Sequence, residues 1–433
     1  MVFPVLEVPW LGGELLMAAM SLVFAVSAFF AVGGGTLQVI LERRAERDGD
    51  GALLSFLQDW SRFFLLMTLI VGMISWTGLW MTTAVVSPHA AWAILKIFFW
   101  PCMAISALFV VQAAAAFLYH STWGAVDPNK HLAIGWIFTV SAWLSLLAIN
   151  GVLTFMLTPG DWLLTGRLRD AFFNPTFLPS AFMLMSGASG ITGLICLVAS
   201  AGQANATLRT GMVKASAVFV LPGFLILPAS GFWHIESLPE SMRRAILHEG
   251  GLATNLLAVS LGLCVIVILL GLIGPFRKPK TPSRATALLM LLIGLGAVST
   301  LEWSRGIIRS PYVVTGYMYL NGIDPRNVGN LQEGGFLKKA RYASIKATDS
   351  DQMGSGRELF RLQCMACHSI DGYNSIRRSV KGWSRDVLDT QLEKLDKLPG
   401  RMPPFAGTGA ERRALALWLS SMSASKAEKA GGI

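Results

Sequence analysis

Residues 364–368 read Cys364-Met365-Ala366-Cys367-His368. Two thiols separated by two residues and followed at once by an imidazole form the attachment signal for a c-type haem. The spacing has a chemical reason. Each thiol adds to one haem vinyl group, and the next residue carries its imidazole under the iron as an axial ligand. A redox Cys-x-x-Cys and half of a zinc site are the competing readings. No second cysteine pair exists to complete a zinc site, and the adjacent histidine favours haem. The iron then needs a sixth ligand. Met402 lies in Gly400-Arg401-Met402-Pro403-Pro404-Phe405, where two prolines stiffen the loop. A thioether there raises the haem potential and suits electron transfer. Met353 precedes the motif, Met365 is too close to it, and Met422 is the remaining competitor.

These residues need a scaffold, and composition limits what it is. The chain has 433 residues, of which 53% are hydrophobic and only 14% charged. That is too little charge to cover a soluble enzyme of this size, so a multi-span membrane protein is expected. The net charge of +10 is then explained by cytoplasmic loops better than by nucleic acid. Cys102, Cys196 and Cys264 each sit alone in an apolar run and read as packing residues, with no disulfide framework. No basic stretch with a small-residue cleavage site opens the chain, so the first span is expected to stay in the mature protein.

Eight apolar segments are long enough to cross about 30 Å of hydrocarbon. They fall near 14–40, 62–86, 92–119, 132–157, 177–200, 213–233, 251–274 and 285–307. Small residues at Gly33, Gly34, Gly35, Gly187, Gly190 and Gly193 would let helices approach closely in lipid. Alternate loops are rich in basic residues: Arg43, Arg44 and Arg47; Lys130; Arg209 and Lys214; Arg277, Lys278, Lys280 and Arg284. The intervening loops are poorer, with Arg167 and Arg169 in one and Arg243 and Arg244 in another. The basic set is therefore expected on the cytoplasmic side, which puts both termini outside. Covalent haem is attached on that outer side, so the motif agrees independently.

The expected fold is all-α: a polytopic helical bundle followed by a small all-α domain. The boundaries are a bundle over 1–310, a Gly- and Pro-containing linker over 311–350, a haem domain over 351–425 and a tail over 426–433. Within the haem domain, helices are expected over Gly354–Leu362, Asp386–Leu395 and Ala410–Met422. About 75 residues bury little core alone, and an embedded haem offsets that deficit. The order of leading helix, motif, middle helix, Met-Pro loop and closing helix resembles a class I monohaem cytochrome c. That resemblance implies one covalent haem c on Cys364 and Cys367, with His368 and Met402 on the iron.

The bundle carries a second resemblance. Gln112, then Phe117-Leu118-Tyr119-His120-Ser121-Thr122-Trp123-Gly124, then His131-Leu132, Asn150-Gly151 and Pro159-Gly160 form one stretch. Thr300-Leu301-Glu302-Trp303-Ser304-Arg305 and Ser310-Pro311-Tyr312 form another. Both are similar to the large subunit of cytochrome bd quinol oxidases. The similarity implies two four-helix groups with redox centres near the outer face. It also implies haem ligands that are missing here. The first span, at Leu16-Met17-Ala18-Ala19-Met20, has no histidine, and neither has the fifth, at Phe182-Met183-Leu184-Met185-Ser186. The seventh begins Leu252-Ala253-Thr254-Asn255, without methionine. Gln112 stands where an acid is expected, and residues 235–250 are too short for the family's quinol loop. Glu302 and Arg305 do match.

Catalytic candidates in the bundle are Glu302, Gln112 and His234, since polar groups inside a span are functional by default. The bland alternative for Glu302 is a structural pair with Arg305. His89, His234 and His248 fall near outer span ends, where a bis-His haem b is the weaker reading against ordinary interface histidines. His120 and His131 flank a cytoplasmic loop and read as helix-end residues. Glu236 and Glu240 would either accept quinol protons or be solvated. The leading function is a membrane-anchored c-type cytochrome subunit that relays electrons at the outer face of a bacterial cytoplasmic membrane, among membrane and periplasmic respiratory partners. One alternative is a bd-type quinol-dependent oxidase or nitric oxide reductase with altered ligands. Another is a haem-free scaffold that tethers the cytochrome.

Overall fold

The computed structural model describes residues 5–8, 10–247, 251–346, 351–398 and 402–423. Among the described residues, eight helices are long and apolar enough to cross a membrane: Gly13–Asp48, Gly51–Val86, Phe99–Ser121, Pro128–Leu157, Phe177–Ala201, Ala206–Glu236, Leu252–Phe276 and Arg284–Arg309. The protein is a multi-pass membrane protein. The first span runs eight residues further than expected, to Asp48, and the sixth begins seven early, at Ala206. Two further spans differ for local reasons. The second begins eleven residues early, at Gly51, because Asp50 caps it by accepting from the Leu53 amide at 3.0 Å. It passes through a π-helical turn at Met67–Val71. The expected third span splits into Pro88–Ile97 and Phe99–Ser121. Pro101 has no amide hydrogen, and its ring would clash with the Ile97 carbonyl, so it belongs in the first turn of a new helix.

The chain forms two compact units. One comprises residues 21–77 and 98–308. Its core joins Phe30, Phe138, Ile191, Leu194, Leu197 and Phe224, all almost completely buried. Packing between the fifth and sixth spans depends on missing side chains. A Cβ on Gly223 would lie 2.5 Å from the Gly190 backbone nitrogen, so the two backbones touch. At the end of this unit that carries the first basic loop, three buried groups meet. His131 Nδ1 is 2.6 Å from Glu42 Oε1, and its Nε2 is 2.9 Å from the Tyr119 carbonyl oxygen. The Tyr119 hydroxyl donates to the other Glu42 oxygen.

The other unit comprises residues 1–20, 78–97 and 309–433. Its helices Gln352–Gln363, Arg385–Glu393 and Gly409–Ser423 match the expected three to within two residues at each end. Asp351 and Ser384 cap the first two through their side chains. Thr408 and Glu411 form a reciprocal capping box on the third. Leu359, Phe360, Leu388, Leu415 and Trp418 make the core. The segment expected as a linker joins that core. Tyr319, Ile323, Phe336, Leu337 and Ala340 pack in the same cluster. The segment also contains a short antiparallel pair, Tyr312–Val314 with Met318–Tyr319.

Glu358 ties the segment to the leading helix. Its carboxylate accepts from the Ser344 amide at 2.9 Å and from Arg361 at 2.6 Å. Burial pushes this carboxyl up, but the Arg361 and Ser344 hydrogen bonds and the Arg361 charge outweigh it, and the net shift is downward. A carboxyl lowered on folding stabilises the fold above its unfolded value of about 4.3, and that contribution is lost as pH falls through the folded value. Glu358→Gln is therefore expected to lower the unfolding midpoint at pH 7. The gap to the wild type should narrow as pH falls below the unfolded value and through the lowered folded one. Denaturation followed by haem absorbance across pH checks this, and a gap independent of pH would contradict it.

Candidate haem site

The motif continues the leading helix by one turn. The Cys364 and Met365 amides both bond to the Phe360 carbonyl, and the Cys367 and His368 amides bond to the Cys364 carbonyl at 3.0 and 2.9 Å. Residues three and four apart on a helical turn share a face, so both thiols and the imidazole are offered on one side. All three side chains are half-buried, and neither thiol is in a disulfide. Burial pushes the Cys364 thiol up to about 12. Cys367 is also raised by burial, with the Glu14 carboxylate and Cys364 adding to the effect.

The loop after the motif positions His368. Asn374 adopts a left-handed conformation, φ 54°, which asparagine tolerates better than most residues. Its side chain donates to the Cys367 carbonyl at 2.8 Å, and its own carbonyl oxygen lies 3.4 Å from His368 Nδ1. A carbonyl only accepts, so the contact requires the proton on Nδ1 and leaves the Nε2 lone pair available. Burial lowers the His368 imidazole despite this bond, which keeps it neutral as a ligand must be. Ser369 and Ser375 close the loop by bonding to the Tyr373 and Ile370 carbonyls, both at 2.7 Å. The segment before the first span lies on it: a Cβ on Gly372 would be 2.8 Å from the Trp10 carbonyl oxygen. The Asn374 side chain also hydrogen-bonds the Glu14 carboxylate.

Met402 is half-buried, while Gly400 and Arg401 lie outside the described residues. Its competitors are otherwise engaged. Met365 and Met422 pack on the domain core, and Met353 is 43% exposed. The donor set fits a haem: two protonated thiols on one turn, an imidazole held in the right tautomer, and a thioether on a stiff loop. Asn374 and Glu14 were not visible as site residues in the sequence. A left-handed Asn after a haem motif leaves little trace there, and Glu14 reads only as an acid opening a helix.

In the bundle, the candidates fall at separate places. Gln112 is buried and donates to Ser145 Oγ at 2.8 Å, beside a small apolar pocket that also includes Phe24, Thr68 and Trp76. Glu302 is paired with Arg305 at 2.8 Å, and Arg305 also donates to Ser180 at 3.0 Å. That is the structural arrangement. His234 is 3% exposed, and neither ring nitrogen meets a hydrogen-bond partner at ordinary geometry. Glu236 and Glu240 are exposed and paired with Arg243 and Arg244. His89 is buried against Gly322 in the other unit, and His248 lies outside the described residues. His120 bonds to Ser61 at 2.8 Å.

Comparison with known proteins places both parts. Residues 351–419 match the family described as Cytochrome C oxidase, cbb3-type, subunit III. Among solved structures, the bd oxidase from Geobacillus thermodenitrificans aligns with a TM-score of 0.61 at 16% identity. The alignment covers 71% of this chain and 89% of that one. Identity at that level speaks for the fold alone. No curated protein sequence matches the chain. The protein is thus a multi-pass membrane protein with a bd-oxidase-like fold, fused to a C-terminal haem-binding cytochrome c domain that serves electron transport.

Proposed function

We propose that this chain is the membrane-anchored c-type cytochrome subunit of a respiratory electron-transfer complex. Cys364 and Cys367 attach one haem covalently, and His368 and Met402 ligate its iron. Bound haem supplies one-electron ferric–ferrous chemistry. The observation that carries this reading is the single helical turn presenting Cys364, Cys367 and His368 together, with His368 Nδ1 committed to the Asn374 carbonyl. With both axial positions taken by protein, the domain passes electrons and does not bind a substrate. The alternating basic loops support an outer location for both termini and the cytochrome domain, facing periplasmic and membrane partners of the bacterial cytoplasmic membrane. Phosphatase fusions at either terminus are expected to be active, and inactive fusions would reverse the orientation.

A second reading is a bd-type quinol-dependent reductase with altered ligands, and one observation favours it. His234 is a buried imidazole whose ring nitrogens make no hydrogen bond of ordinary geometry, and imidazole is a common haem ligand. A pyridine-haemochrome spectrum of the purified chain decides between the readings. One haem c and no other haem is the expected result and removes the oxidase. Haem c with two or more b or d haems overturns the expectation and rules out a bundle that only tethers the cytochrome.

A further inference from the structure

The loop carrying Met402 has little structure of its own. Pro403 and Pro404 have no amide hydrogens to donate, and the hydrogen bonds that hold residues 405 and 406 come from side chains. The strongest of these holds is Gln363, the residue immediately before Cys364. Its amide nitrogen donates to the Ala406 carbonyl at 2.8 Å, and its amide oxygen accepts from the Ala406 backbone nitrogen at 3.2 Å. One side chain thus grips one residue of the loop at two points. Gln363 is 7% exposed, so neither bond competes with bulk water.

Two further residues support this grip from outside the family-matched segment. The buried Asn321 donates to the Gln363 carbonyl at 3.3 Å. Gln332 donates to the Phe405 carbonyl at 3.0 Å. Glu411 then joins the far end of the loop to the same segment. Its carboxylate accepts from the Phe336 and Leu337 amides at 2.9 and 2.7 Å and from the Thr408 amide at 2.8 Å.

We infer that Gln363 is a positioning residue for the sixth ligand, with Gln332 as its support from the preceding segment. The inference rests on Met402 being that ligand. The helix that delivers Cys364 also fixes Ala406, and the fixed φ angles of Pro403 and Pro404 carry that constraint back to the Met402 sulfur. Both sides of the haem clamp are referred to one helix end. A loop released at Ala406 keeps its methionine but holds it at the iron for less of the time, which lowers the potential and eases its displacement.

The test uses the full-length holoprotein and the substitutions Gln363→Leu and Gln332→Ala. Gln363→Leu keeps most of the side-chain bulk and removes both bonds. Three signals are read: the methionine–iron charge-transfer band, the pH at which it disappears, and the haem midpoint potential. Leu419→Ala, a core truncation in the same domain, reports what destabilisation alone does. The expected result for Gln363→Leu is normal covalent haem, a band weakened several-fold, loss of the band at lower pH, and a lower potential. Gln332→Ala should move all three the same way by less, and Leu419→Ala should move none of them below its unfolding temperature. A Gln363→Leu protein with the wild-type band, pH profile and potential overturns the inference. If that variant fails to accumulate, an unchanged Gln332→Ala protein overturns it instead. A wild-type protein with attached haem but no band overturns the ligand assignment itself, and the inference with it.

Discussion

Met402→Ala is expected to leave the haem attached and to open the iron. In the proposed site, attachment depends on Cys364 and Cys367, which lie on a helical turn 35 residues earlier and share no hydrogen bond with Met402. Pyridine haemochrome should therefore read the same haem content as in the wild type. Carbon monoxide, which a six-coordinate iron refuses, should bind the reduced variant. The potential should fall, since a thioether favours the ferrous state. Axial ligation spans about 0.8 V across haem proteins, so the change should be large compared with any surface-charge effect. The other methionines offer no rescue, because Met365 and Met422 are spent on the core and Met353 stands at the exposed start of the leading helix. A variant with unchanged spectrum and potential, still closed to carbon monoxide, would rule Met402 out.

Glu42→Ala is expected to destabilise the bundle strongly. Glu42 is 1% exposed and serves two partners at once, His131 and Tyr119. Both come from other spans, Tyr119 near the end of the third and His131 near the start of the fourth. Removing the carboxylate takes the shared acceptor from His131 Nδ1 and from the Tyr119 hydroxyl at once, both of them buried. Breaking a buried pair by deleting one partner costs about 3–5 kcal/mol. His131→Ala should cost less, because Glu42 keeps the Tyr119 hydroxyl. Denaturant titration in mixed micelles, followed by tryptophan fluorescence, gives the comparison. An unfolding midpoint within error of the wild type for Glu42→Ala would show that these groups find water instead.

Neither Glu42 nor its partnership is legible in the sequence. Glu42 stands in a run of charged residues, Glu42-Arg43-Arg44, at the end of an apolar span, and reads as one more interfacial charge. It is separated from Tyr119 by 77 residues and from His131 by 89. Only the packing of three spans makes it a buried centre. The same holds in the haem domain. Gln363 looks like a polar residue at a helix end until the fold brings Ala406, 43 residues on, against it. Residues 312–343 have the Gly and Pro content of a linker, yet their scattered apolar side chains find a core contributed by helices far downstream.

What the sequence determined by itself is what depends on neighbours within one or two helical turns. Cys364, Cys367 and His368 share a face because a helix repeats every 3.6 residues. The eight spans follow from runs of apolar residues that a bilayer requires, and the three haem-domain helices from local periodicity and caps. The tertiary structure decided which polar groups are buried and with whom: the tautomer of His368, the grip on the methionine loop, and the Glu42 centre. Those outcomes turn on side chains from distant segments meeting out of water, where each donor and acceptor must find a partner. No local pattern encodes that meeting, because the partner's position exists only once the elements have packed.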